Sequence, residues 1–205
     1  MTADTHFISV HEPGTPGAAT LLLLHGTGGN EHSLSGLGRQ VAPGWNLLAV
    51  RGRSLEEGWL RFFRRFSATS YDQDQLASEA DALAAFVGTA AREHGFAADA
   101  VWALGYSNGA NIGVAALARN PGNLRGAVLL RGVLPFDEPP QADLTGRAVL
   151  VLNGESDPYA GAAAGLAPWL RQTGAEVQEH SLPAGHELTA EDARLSADWL
   201  SRQAG

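Results

Sequence analysis

Residues 100–109 read Ala100-Val101-Trp102-Ala103-Leu104-Gly105-Tyr106-Ser107-Asn108-Gly109. A short apolar run gives way to a G-x-S-x-G pentapeptide, and a segment of helical character follows. Taken together this is a buried strand that turns sharply into a helix, with a serine at the apex. A side chain at Gly105 or Gly109 would collide with neighbouring backbone in such a turn, and the serine is held in a strained conformation. Its oxygen then stands at the carboxyl edge of a sheet, over a helix N-terminus. The pentapeptide alone is not specific. The chain has 25 glycines in 205 residues, and a structural serine in a glycine-rich turn would read the same way.

Outward from this turn, short apolar runs alternate with amphipathic segments. Residues 7–10 predict an edge strand, and 19–24 a fully buried strand that ends at His25-Gly26. A helix is expected over 31–42 and a strand over 46–50. The clearest helix spans 73–94, where Leu76, Ala80, Leu83, Val87 and Ala91 recur on one face. Beyond the strand at 101–104 come a helix at 108–119, strands at 126–130 and 148–152, a helix at 160–172, a strand at 177–182 and a last helix at 190–202. Continuous apolar strands separated by helices predict an α/β fold with a mostly parallel sheet covered on both faces. Without repeats, low-complexity stretches or a long linker, one domain over 1–205 is expected. Ligands bind such sheets beyond the carboxyl ends of the strands, so residues with chemistry should fall just after strands.

Composition narrows the function classes. Hydrophobic content is 44%, charged content 18%, and the net charge of −8 argues against nucleic acid as a partner. The chain has no cysteine, which excludes disulfides, thiolate metal sites and a cysteine nucleophile, and fits a cytoplasmic protein. The polar start, MTADTHFISVHEPG, lacks a signal-peptide layout, and no apolar run has the length of a membrane span. All 14 basic residues are arginine, which with abundant alanine and glycine points to a GC-rich bacterial genome. The edge strands could pair across a two-fold axis, so a homodimer is compatible with the chain.

A serine hydroxyl is a weak nucleophile until a base takes its proton. His186 is the candidate base, in the loop Leu182-Pro183-Ala184-Gly185-His186-Glu187 that follows a strand and precedes the final helix. A surface histidine capping that helix is the structural alternative. The base needs a carboxylate to fix its tautomer. Asp157 follows the strand at 148–152, in Asn153-Gly154-Glu155-Ser156-Asp157-Pro158. An Asx-Pro turn would also use this aspartate, and Glu155 is a rival in the same loop. The order Ser107, Asp157, His186 is that of one hydrolase fold and differs from chymotrypsin-like and subtilisin-like proteases.

Acyl transfer also needs hydrogen-bond donors for a developing oxyanion. The Asn108 N–H, at the helix start, is one candidate, and the loop His25-Gly26-Thr27-Gly28-Gly29-Asn30 supplies the other. Thr27 is the expected donor, with Gly28 as the neighbouring alternative. No G-x-G-x-x-G or G-K-[ST] pattern supports phosphate binding there. His25 reads as a structural histidine bonded to loop backbone. The other histidines show no metal-ligand spacing, so no metal site is expected. Residues 51–66 hold five arginines and the aromatics Trp59, Phe62, Phe63 and Phe66. These aromatics either pin a solvated loop to the core or wall a pocket for an apolar acyl or alcohol group, with an arginine near a substrate anion. Arg131, after the strand at 126–130, is a further pocket candidate.

The blocks LLLLHGTGGNE, GYSNGA, LNGESDP and PAGHEL, in this order and across most of the chain, resemble the α/β-hydrolase superfamily. Within it they resemble the small carboxylesterase/phospholipase branch that includes the acyl-protein thioesterases. The resemblance implies a serine esterase with Ser107, Asp157 and His186 as its triad. It also implies an oxyanion hole from the Thr27 and Asn108 amides, a small-molecule ester substrate and no cofactor. Members near the thioesterases carry Gln after the serine, where this chain has Asn108, so the resemblance does not carry protein deacylation over. With nearly every segment assigned to the core, minimal or no lid is expected, and short or medium acyl esters suit an open site.

Overall fold

The computed structural model describes residues 6–203; residues 1–5 of the polar N-terminal stretch lie outside them. The strands, in chain order, are β1 (Ser9–Glu12), β2 (Thr20–Leu24), β3 (Asn46–Val50), β4 (Ser54–Glu56), β5 (Trp59–Arg61), β6 (Val101–Tyr106), β7 (Gly126–Leu130), β8 (Ala148–Gly154) and β9 (Glu176–Leu182). The helices are α1 (Ser35–Val41), α2 (Gln73–His94), α3 (Asn108–Arg119), α4 (Ala160–Ala163), α5 (Leu166–Gln172) and α6 (Ala190–Gln203). Seven strands make one sheet in the order β1-β3-β2-β6-β7-β8-β9. β1 runs antiparallel to β3 and every other neighbour pair is parallel.

The apolar runs are continuous because both faces of the sheet are covered. Along a strand successive side chains point to opposite faces. Leu22, Leu24, Ala127, Leu129, Val149 and Val151 join the core under α2, α3 and α5. Their alternates Leu21, Leu23, Val128, Leu130, Leu150 and Leu152 join the second core, with α1 and α6. α2 begins where Asp72 accepts the Gln75 N–H at 3.0 Å and ends at Gly95, whose φ of 74° closes the last turn. From β2 the chain moves outward to β3, and from β6 it moves the other way to β7, β8 and β9. The sheet's topological switch point therefore lies between β2 and β6, and the loops after these two strands flank it. Among the described residues no lid domain covers this edge.

Four elements differ from the sequence expectation. The first strand is Ser9–Glu12, not 7–10, because Phe7 turns into the core against Phe86. The helix expected over 31–42 starts only at Ser35 after a run of turns. The helix expected over 160–172 is two, α4 and α5. Pro168 lacks an N–H and its ring would meet the carbonyl of Ala164 in a continuous helix, so the chain restarts at Leu166 with the proline in its first turn. Residues 51–66, expected as a connection, contain the β4–β5 hairpin, which pairs Glu56 with Trp59 around the two-residue turn Glu57-Gly58.

Candidate active site

Ser107 sits between β6 and α3 with φ 52° and ψ −114°, a conformation that L-residues rarely adopt. The two flanking glycines make the turn feasible. A Cβ at Gly105 would strike the Gly109 carbonyl, and one at Gly109 would strike the Leu24 carbonyl of the neighbouring strand. The Ser107 N–H donates to Leu130 O at 2.8 Å, which ties the turn to β7.

Three side chains from three strand ends meet here. His186 Nε2 lies 2.9 Å from Ser107 Oγ, and His186 Nδ1 lies 2.8 Å from Asp157 Oδ2. The second Asp157 oxygen accepts the Tyr159 N–H at 2.8 Å, so this carboxylate forms an Asx turn and orients the imidazole at once. Its side chain is 5% exposed, whereas that of His186 is 28% exposed and open to the cleft. Glu155 is exposed and takes no part. The two loops are held side by side by continued pairing: Glu155 N–H donates to Leu182 O and Ser156 N–H to Ala184 O. Gly154 has no room for a side chain there, since a Cβ would strike the Gly185 carbonyl.

The loop after β2 faces this group across the switch point. The Gly28 N–H donates to Leu60 O at 2.8 Å and is therefore committed. The Thr27 N–H takes no acceptor among the described residues, and Thr27 lines the same cleft as Ser107 and Asn108. As the first residue of α3, Asn108 has no intrahelical acceptor for its N–H. Its side-chain oxygen accepts the Phe62 N–H at 2.7 Å, which joins the serine turn to the hairpin. His25 is buried, with Nδ1 2.7 Å from Gly26 O and Nε2 accepting the Gly52 N–H at 2.9 Å. These partners require a neutral ring with its proton on Nδ1, and burial lowers its pKa accordingly. Behind the loop the buried Arg61 donates from Nε to Thr27 Oγ1 at 3.4 Å.

The cleft has a volume of about 270 Å³, and Tyr71, Tyr106, Asn111 and Tyr159 line it beside the residues above. Tyr106 donates its hydroxyl to His186 O at 3.0 Å, and burial raises its pKa, as it does that of Tyr71. Asn111 accepts the Val133 N–H and donates to the Tyr71 hydroxyl. No motif in the sequence marked these residues, apart from Tyr106 and Asn111 standing in or beside the pentapeptide.

The expected substrate contacts are placed differently. Phe62 and Phe63 do not wall the cleft. They are buried in the core, Phe62 against His25 at 4.8 Å between ring centroids and Phe63 against Tyr71 at 5.4 Å. Trp59 is 55% exposed and lies against Gly28 outside the cleft. Arg131 does reach the cleft, but its guanidinium has nothing left to offer a substrate. Nε donates to Gly185 O, Nη1 to Leu152 O and Asp192 Oδ1, and Nη2 to Glu187 O and Asp192 Oδ2. All five donors of an arginine are thereby used. The carbonyls of Gly185 and Glu187 flank His186, so Arg131 clasps the histidine loop and does not grip a ligand. Its φ of 53° aims it there. Asp192 escaped the sequence reading. Its only signal is Thr189-x-x-Asp192, a capping pattern at the start of α6 that is indeed formed.

Comparison with known proteins places the chain in a family. Residues 5–201 match the model of the Phospholipase/Carboxylesterase family. A putative hydrolase of Bacillus subtilis, MhqD, is 38% identical over 192 residues, covering 93% of this chain and 96% of that protein. The carboxylesterase of Bacillus cereus superposes with a TM-score of 0.93 at 34% identity, covering 97% of this chain and 95% of the other. A carboxylesterase from Mesorhizobium loti does so with a TM-score of 0.86 at 38% identity, covering 89% and 88%. With its mostly parallel sheet and the match along nearly its whole length, this chain belongs to the phospholipase/carboxylesterase family of the α/β-hydrolase fold.

Proposed function

We propose that the protein hydrolyses carboxylic esters of short to medium acyl chains through an acyl-enzyme on Ser107. The observation that carries this reading is the hydrogen-bonded chain Ser107–His186–Asp157, seated on a strained turn. His186 takes the serine proton as Oγ attacks the acyl carbon, and Asp157 holds the ring so that Nε2 faces the serine. The negative charge that develops on the carbonyl oxygen is received by the Thr27 and Asn108 amides. The tetrahedral intermediate collapses, His186 returns the proton to the departing alcohol, and a water activated by His186 then releases the acid. The cleft of about 270 Å³ is at the small end of ligand sites and suits a short acyl group.

Reaction with a fluorophosphonate, read by intact mass, tests the nucleophile. One adduct on the wild-type protein and none on Ser107→Ala is expected, with a loss of about 10⁴-fold in turnover in that variant. Substantial turnover by Ser107→Ala would overturn the reading. A folded wild type that forms no adduct would point to a non-catalytic scaffold. A panel of oxygen esters, thioesters and lactones at matched acyl length separates the bonds that the same triad can cleave.

A further inference from the structure

The segment 51–66 holds arginines at 51, 53, 61, 64 and 65. Four of them face a carboxylate: Arg51 pairs with Glu31, Arg53 with Glu79, Arg61 with Glu56 and Arg64 with Asp72. The guanidinium of Arg65 takes no hydrogen bond or ion pair among the described residues, and it is the member of this group that lines the cleft of Ser107 and His186. The other arginine of the cleft lining, Arg131, has a side chain 0% exposed and every donor committed to Asp192 and to backbone carbonyls. Asp192 is matched by Arg131, and Asp157, with a side chain 5% exposed, is turned to His186. Arg65 is thus an unmatched positive charge at the substrate's position, in a molecule whose net charge is −8.

Its setting is that of a binding group. The residue is half-buried, and its backbone is pinned by a bridge to Tyr71 and by donation of its N–H to Glu56 Oε2 at 3.4 Å. Arg65, Ala68 and Tyr159 form the shared wall between the cleft and an adjoining cavity of about 340 Å³. Glu56 and Glu57 line that second cavity and not the cleft. An anion is therefore received from the side of Ser107, where the cleft lining holds no carboxylate. A guanidinium partly withdrawn from water on a pinned backbone makes stronger hydrogen bonds to a carboxylate than a fully solvated one.

We propose that Arg65 is a specificity-determining residue that holds a carboxylate on the substrate, and that the preferred substrates are half-esters of small dicarboxylic acids. Water is added across the acyl–oxygen bond, and the alcohol and a free dicarboxylate leave. The proposal rests on Ser107 as nucleophile only for turnover; recognition of the carboxylate does not require it.

The test compares monoethyl succinate with ethyl succinamate, which replaces the carboxylate by an amide at the same chain length. Wild-type kcat/KM is expected to favour the half-ester by about 10- to 100-fold. The preference should disappear in Arg65→Gln, survive in part in Arg65→Lys and invert in Arg65→Glu. Equal kcat/KM for the two esters in the wild type would overturn the proposal. So would a preference unchanged by Arg65→Gln, because an arginine that served only the oxyanion would slow both esters alike. Calorimetric titration of succinate into Ser107→Ala, with and without Arg65→Gln, reads recognition without turnover. Binding lost with the arginine supports the proposal, and binding that is absent from Ser107→Ala or indifferent to Arg65 overturns it. A wild type that fails to react with fluorophosphonate while Ser107→Ala binds succinate through Arg65 would sink the serine reading alone.

Discussion

The loop after β2 and the loop after β9 approach Ser107 from opposite sides, and they are tethered by different chemistry. The first is held next to Ser107 by neutral hydrogen bonds, with the Arg51–Glu31 ion pair further along the loop. His25 bridges Gly26 and Gly52, and Gly28 donates to Leu60 of the hairpin. The second is held by an ion pair sealed in the core, in which Arg131 and Asp192 have side chains 0% exposed. A neutral histidine tether is sensitive to pH below about 6.5, whereas the ion pair is sensitive above all to loss of either partner. The same cleft can thus be loosened by two separable perturbations, one for each side.

The ion pair should give the larger effect. Asp192→Ala leaves the Arg131 guanidinium buried without its counter-charge, at an expected cost of about 3–5 kcal/mol in urea unfolding. Because Arg131 grips the carbonyls on both sides of His186, the proposed base, turnover should fall by about 10²-fold in the folded fraction, as for a reacting group displaced by about 1 Å. The double variant Arg131→Met/Asp192→Leu should recover more than half of the stability and little of the activity, since an apolar pair fills the space but releases the loop. A single variant that costs less than about 1 kcal/mol would break the contrast between the two sides.

His25→Ala comes next. It strips partners from the buried Gly26 carbonyl and Gly52 N–H, with an expected cost of about 2–3 kcal/mol. The pH dependence carries the finer test. The folded pKa of His25 lies below the ordinary 6.5 because burial disfavours the imidazolium. Below pH 6.5 the unfolded chain therefore binds a proton that the folded chain refuses, and stability falls as pH falls; above it the contribution is complete. His11 is also lowered by burial and acts with the same sign, so the comparison of wild type with the variant isolates His25. Thermal midpoints measured from pH 7.5 to 5 should drop more steeply in wild type than in His25→Ala. Parallel curves would mean that the first loop is not held by a neutral imidazole.

Much of this frame could be read before any coordinates. β2, β3, β7, α2 and α3 follow from apolar runs, capping residues and glycines, which act within a few residues of chain. Ser107, Asp157 and His186 stood out because each follows a strand end, where a parallel sheet gathers its ligands. Other features depend on partners far away in sequence. Phe62 and Phe63 looked like a pocket wall because aromatics in a polar connection have no visible reason to be buried. That reason is His25 and Tyr71, which only the fold brings near. Arg131 looked like a substrate ligand because a positive φ at a non-glycine residue leaves no mark in sequence, and Asp192 lies 61 residues further on. Arg65 could not be told from its four neighbours until their carboxylates were located.

The hairpin itself offers the smallest and most selective perturbation. Its turn has φ 52° at Glu57 and φ 78° at Gly58, the pattern of a type I′ turn, which requires positive φ at both central residues. Asparagine, aspartate and glycine take the first of these positions at little cost, and an exposed glutamate does not. That mismatch is why β4 and β5, three residues each, went unread in the sequence. Glu57→Asn should stabilise the protein by about 0.5–1 kcal/mol, or a rise of about 1–3 °C in Tm. Since Leu60 and Arg61 of this hairpin hold Gly28 and Thr27, the Gly28 amide should exchange with deuterium more slowly in the variant. Amides of the Arg131-held loop at 183–188 should be unaffected. If both loops gain protection equally, they do not move as separate units, and the cleft opens as one body.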